Sequence, residues 1–146
     1  MSLFESISVS ASGMSAQRFR SELLAQNIAN SETTRTEEGG PYRHQDAVFQ
    51  SASVTSPFGS AFQNSMNASM SGVSVSEVQI DDKEPIRRYL PGHPDADEKG
   101  YVAFPNFSPI EEMVDLMNAS RSFGANVTAI NAVKDMISKS IDLVRG

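Results

Sequence analysis

Apolar residues in this chain follow two different rhythms. Towards both ends they recur every three or four positions, the spacing of one helix face, whereas in the middle they alternate or thin out. From residue 3 to about residue 30, Ile7, Ala11, Met14, Ala25 and Ile28 fall on one row, with Arg18 and Ser21 completing it. Phe19, Leu23 and Leu24 widen the apolar face beside that row. No proline interrupts the stretch and only Gly13 weakens it, so a helix is predicted. It ends at "NIAN", where Asn27 and Asn30 suit the left-handed conformation that closes a helix. The polar loop "SETTRTEEGGP" follows.

The second helix is predicted over residues 108–145. Ser108 suits the N-cap, Pro109 the first helical position, and Glu111 the third position of a capping box. An apolar row then runs Leu116, Ser120, Phe123, Val127, Ile130, Lys134, Ile137, Ile141, Val144, alternating steps of four and three as in a coiled-coil seam. Ser120 and Lys134 interrupt it, which requires a partner tolerant of a small polar group and a snorkelling cation.

Residues 32–107 change period. "PYRHQDAVFQ", "GVSVSEVQI", "PIRRYL" and "YVAF" are rich in β-branched and aromatic residues and predict short strands. In the second of these, Val73 and Val75 alternate, then the phase slips to Val78 and Ile80, as a β-bulge produces. Nine serines among residues 51–76, with few strong apolar anchors, predict a flexible or extended loop. The expected fold is mainly α with a small β region: an N-terminal helix in residues 1–31 and a C-terminal helix in 108–146 form a coiled-coil-like pair around short strands and a loop.

Composition narrows the function. A net charge of −6 and no basic cluster beyond Arg87–Arg88 argue against nucleic acid or an anionic membrane as partner. Cysteine is absent, which removes disulfides, thiolate metal sites and cysteine nucleophiles. No apolar run reaches the ~20 residues of a membrane span. "MSLFESISVS" lacks the basic and apolar regions of a cleavable secretory signal, so any export is expected to use another route.

Candidate chemistry is sparse. "PDADEKGYVAFPN" places Asp95, Asp97 and Gly100 at positions one, three and six of a calcium loop. Lys99 then brings a cation to position five and Asn106 replaces the closing bidentate glutamate, while "YVAF" reads as strand where a helix should follow. With His93 nearby, a metal-binding adaptor built on residues 93–106 is the alternative reading; an acidic solvated turn is the preferred one. The only histidines, His44 and His93, lie far apart in sequence, and no nucleophile elbow, phosphate loop or H-E-x-x-H occurs. Asp81 and Asp82 would point to opposite faces of a strand. No enzyme activity and no cofactor are expected. The "NAS" and "NVT" sequons at Asn118 and Asn126 lie in the predicted helix and read as chance.

The helices pose a burial problem. At 1.5 Å per residue they would be about 40 and 55 Å long, more than a small centre can cover. Ile110, Met113, Val114 and Met117 form a second apolar patch beside the long row. Burial between subunits resolves this, and a contact that does not close makes a helical filament or tube.

Two segments then carry a resemblance. "SISVSASGMSAQRFRSELLAQNIANSETTR" resembles the N-terminal region of bacterial flagellar rod and hook proteins, with Ile28 where the family signature has leucine. "EEMVDLMNASRSFGANVTAINAVKDMISKSIDLV" resembles their C-terminal helix, and "GGPYRHQDAVFQ" with "PGHPDADEKGYVAFPN" resembles the small, proximal-rod type. The resemblance implies a structural subunit that leaves the cell uncleaved through the flagellar export apparatus. It would polymerise with itself and with other rod proteins (rod proteins B and F, and the hook-basal-body protein at the membrane ring) into a tubular shaft across the periplasm. The interface expected on the N-terminal helix comprises Phe4, Ile7, Met14, Leu24, Asn27, Ile28 and Asn30. On the C-terminal helix it comprises Met113, Leu116, Met117, Phe123, Val127, Ile130, Ile137, Ile141 and Val144.

Overall fold

The computed structural model describes residues 3–37, 39–53 and 71–145, with the backbone alone at 53, 144 and 145. Two long helices flank a small antiparallel β region. In chain order the elements are α1 (Leu3–Ala29), β1 (Gln45–Ser53), β2 (Ser71–Ile80), β3 (Ile86–Tyr89), β4 (Tyr101–Phe104) and α2 (Pro109–Arg145). Both helices begin and end within two residues of where periodicity and cap residues place them.

β1 and β2 pair antiparallel from Gln45↔Ile80 to Ser53↔Ser71, with one register shift. Val48 faces Glu77 and Phe49 faces Val75, so Ser76 is the extra residue. This is the bulge that the phase slip between Val75 and Val78 predicts. The serine-rich loop expected over 51–76 is corrected at both ends, because residues 51–53 pair with 71–73, and 72–76 belong to the strand that the valine alternation predicts. Serine is a poor strand former alone, but each has a cross-strand neighbour here. Residues 54–70 lie outside the described part.

This ribbon lies lengthwise on α1. The Asn27 side chain bonds to the backbone of Gln45 at one end, and the Val73 amide donates to Ser12 Oγ (3.1 Å) at the other. Val73 pairs with Ser51. Strand from Gln45 to Ser51 and helix from Asn27 back to Ser12 each cover about 20 Å, so the two run side by side. β3 and β4 form a separate two-stranded hairpin.

α2 packs antiparallel along a neighbouring face of α1, and Asn27 touches both the ribbon and α2. Asn27 meets Glu112, Arg20 meets Asp115 (3.4 Å), and Gly13 lies against Asn126. A Cβ on Gly13 would come within 3.1 Å of Asn126 Nδ2, so the helices cross closely there. The seam is rotated by one position from the predicted row. Glu112, Ala119 and Val133 are the buried positions of α2, with Leu116, Asn126, Ile130 and Ile137 half-buried between them. Ser120, Phe123, Lys134 and Ile141 are exposed instead. α1 behaves in the same way: Ala16, Leu23, Leu24 and Asn27 are buried, whereas Ala11, Arg18 and Ala25 are exposed. Small side chains allow close approach of the two backbones, so they take the centre and larger ones flank it.

The register leaves α2 longer than its partner. Carried back to Leu3, it sets the start of α1 level with about Met136. Val133 is the last buried residue of α2, Ile137 the last half-buried one, and residues 138–145 run on beyond α1.

Candidate assembly surface

One end of the helix pair is closed by a polar cluster. Asn27, 0% exposed, donates from Nδ2 to the Gln45 carbonyl and to Glu112 Oε2, both at 2.8 Å. Its Oδ1 accepts from the Tyr42 hydroxyl (2.9 Å) and the Gln45 amide (3.2 Å). All four hydrogen-bonding sites of the amide are therefore used. Glu112 Oε1 lies 3.0 Å from His44 Nε2, and Phe107 stacks at an angle against both His44 and Tyr42. Burial, with the Glu112 carboxylate as a second cause, raises the Tyr42 pKa above its ordinary 10.0. The cluster ties the end of α1, the start of β1 and the first turn of α2 together. Asn27 is thus an internal bridge rather than a helix cap. Asn30 closes the helix with its side chain, donating to the Gln26 carbonyl (2.9 Å) and accepting from Thr33 Oγ1, and neither asparagine adopts the left-handed backbone expected of them.

The acidic turn is an ordered structural element. Asp97 Oδ1 accepts from the backbone amides of Lys99 (2.8 Å) and Tyr101 (2.9 Å), and the Tyr101 amide is the main cause of its lowered pKa. Gly100 turns the chain with φ +82, and a Cβ there would lie 2.9 Å from the Tyr89 ring. Asp95 does not face open solvent or a neighbour, as expected of this turn. It accepts from Thr34 Oγ1 (2.7 Å) and pairs with Arg35 (3.7 Å) of its own chain. Among the described residues no cluster of His, Asp or Glu is arranged to hold a metal ion. The backbone and Thr34 contacts account for both carboxylates of the calcium-like pattern.

The rest of the helix pair is apolar and open. Two of the expected interface residues are sheltered inside the chain: Leu24 is 3% exposed and Asn27 is fully enclosed, so neither offers a surface to a neighbour. Ile7, Met14, Ile28, Asn30, Leu116, Val127, Ile130 and Ile137 are half-buried. Phe4, Met113, Met117, Phe123 and Ile141 are exposed. Val144 lies in α2, and its side chain is outside the described part. Ile110 (74%) and Leu143 (85%) are more exposed than most of the predicted set and were absent from it. A signal for them existed in their position at the two ends of α2, where the antiparallel pair covers least. Between the helices, Arg18, Ser21, Leu116, Ser120 and Phe123 line an open groove of about 340 Å³. No helix among the described residues is long and apolar enough to cross a membrane.

Known proteins share this sequence from end to end. The flagellar basal-body rod protein FlgC of Borreliella burgdorferi is 41% identical over 154 aligned positions, covering 100% of both chains. The protein of the same name from Bacillus subtilis is 40% identical, covering 98% of this chain and 99% of its own. This chain belongs to the flagellar basal-body rod protein FlgC family. The FlgC protein of Escherichia coli O6:H1 agrees at 37% identity, with 98% of each chain covered. The family model for the C-terminal part of the flagellar basal body rod FlgEFG proteins matches residues 98–143. Within this FlgC-family chain, the matched span holds the second half of the acidic turn, β4, the α2 half of the seam and most of the exposed apolar face.

Proposed function

We infer that this chain is a structural subunit of the flagellar basal-body rod that joins its neighbours through the outer faces of its two terminal helices. Family membership supports the first half. The second half is carried by one observation: α2 packs on α1 alone among the helices and strands and keeps Ile110, Met113, Val114, Met117, Phe123, Met136, Ile141 and Leu143 exposed. Contiguous exposed apolar residues along one helix are a surface that water disfavours and a protein partner covers. The partners proposed are further copies and other flagellar rod proteins, among them rod proteins B and F and the hook-basal-body protein. The path proposed is export without cleavage through the flagellar apparatus into a rod crossing the periplasm. The role proposed is structural rather than catalytic: the Asn27 amide at the centre of the polar cluster uses all four of its hydrogen-bonding sites within its own chain.

Ile110→Asp with Met117→Asp tests this reading. Both side chains are exposed, so the purified subunit should keep its far-ultraviolet circular dichroism. Cells carrying the double variant should export the chain yet lack rods and swim poorly. Normal swimming would overturn assembly through this face. Ile130 and Ile137, half-buried against α1, are poorer probes because charge there also disrupts the subunit.

A further inference from the structure

We propose that the overhanging end of α2, residues 138–145, docks in the groove lined by Arg18, Ser21, Leu116, Ser120 and Phe123 of a second copy of this chain. The proposal deepens the assembly reading and rests on it.

Three observations meet here. First, the overhang runs past Leu3, the first described residue of α1, and carries Ile141 and Leu143, 52% and 85% exposed. Among the described residues, the end of this helix is the part of α2 with least cover from α1. Second, the groove is a gap in the same helix pair, with an apolar floor from Leu116 and Phe123 and a small, exposed Ser120 between them. Its volume of about 340 Å³ admits large aliphatic side chains. Third, charges of both signs match. Arg18 and Glu22 stand one turn apart at the groove edge, 3.0 Å from each other and both well exposed. Lys139, Asp142 and Leu143, at helical spacings of three and four, share one face of the overhang. Asp142 would face Arg18 and Lys139 would face Glu22, while Leu143 enters the groove.

The partner is a second copy because one chain cannot satisfy itself. Ser120 and Leu143 lie on the same straight helix, about 35 Å apart. The contact joins two different surfaces, so each docked copy presents a fresh groove and a fresh overhang. Such a head-to-tail contact propagates instead of closing into a dimer.

The chain contains no cysteine, which makes cross-linking a clean test. A disulfide needs Cα atoms within about 7 Å, so Ser120→Cys and Leu143→Cys cannot link within one molecule. Under oxidation, full-length chain carrying both substitutions should give a ladder of oligomers. A mixture of the two single variants should give a dimer and nothing larger, and either variant alone should stay uncross-linked. Reversing Arg18 and Glu22 (R18E with E22R) should reduce linking about fivefold, the scale of exposed ion pairs, and K139D with D142K on the other chain should restore it. The same double-cysteine chain is then probed in isolated basal bodies. Oligomers by light scattering without the Ser120–Leu143 link would overturn the docking and leave assembly through the helices standing. Linking of Leu143→Cys to a different rod protein only would overturn the second copy as occupant. No oligomer and no link in either setting would overturn docking and assembly reading together.

Discussion

The two ends of the helix pair are built on opposite principles. At the Asn27 end, α1 stops and α2 starts nearly level, and a saturated hydrogen-bond cluster seals them to β1. At the other end, α2 runs past the described start of α1 with aliphatic side chains exposed. Buried polar groups need partners of defined direction, so the closed end specifies one geometry. Exposed apolar residues need only to be covered, so the open end accepts whatever surface fits. A subunit of this kind can hold its own shape through the cluster at one end while leaving apolar helix surface for neighbours, from Ile110 and Met113 beside the cluster to Leu143 at the far end.

This contrast is sharpest under mutation. Asn27→Ala should be the most damaging to the subunit. It orphans the buried Gln45 backbone and removes a donor from the buried Glu112 carboxylate, at a cost of about 3 kcal/mol or more. Urea unfolding of the purified chain measures this; a loss below about 1 kcal/mol would mean that water replaces the amide. Next comes Gly13→Leu, at the close crossing with Asn126. Overpacking there should cost about 1–3 kcal/mol in the same measurement, and an unchanged midpoint would show that the helices separate freely.

Tyr42→Phe should be milder. It removes one hydrogen bond to Asn27, worth about 1 kcal/mol, and leaves the ring packed on Phe107. It also changes the pH profile. The folded Tyr42 holds its proton more tightly than the unfolded one. Its contribution is therefore complete below the ordinary value of 10.0 and is lost as pH rises through the raised folded value. Wild-type stability should fall in that alkaline range, and Tyr42→Phe should fall less. The smallest effect on the subunit belongs to the open end. Ile141→Asp and Leu143→Asp should leave the unfolding midpoint within about 0.5 kcal/mol of wild type, as surface changes do. A large loss would show that the overhang is already covered within the chain.

Much of the fold was readable because it rests on local rules. Helix limits followed from Pro109, from "NIAN" and from unbroken periodicity, and the bulge at Ser76 followed from a phase slip in valines. The orientation of the helices was not readable. A row chosen by apolar size put Ser120 and Lys134 on the seam, yet Glu112, Ala119 and Val133 hold it. Alanine and a paired glutamate add little to an apolar count, although alanine lets helices approach and Glu112 is matched by Asn27 and His44. The extension of the first strand over 51–53 was missed for a related reason, since serine shows its strand preference only when a partner strand is present.

Sequence alone therefore determined the elements, their ends, the absence of cysteine chemistry and the excess of apolar helix surface, because each depends on residues near one another along the chain. Which faces that surface turns inward was decided by the tertiary structure. Asn27 is separated from Glu112 by 85 positions, and their 2.8 Å bond, with the Gly13–Asn126 approach and the buried Ala119 and Val133, goes with one rotation of α2 and one length left uncovered at its far end. Such a contact is fixed by three-dimensional fit between two partners, and neither partner's local sequence carries it.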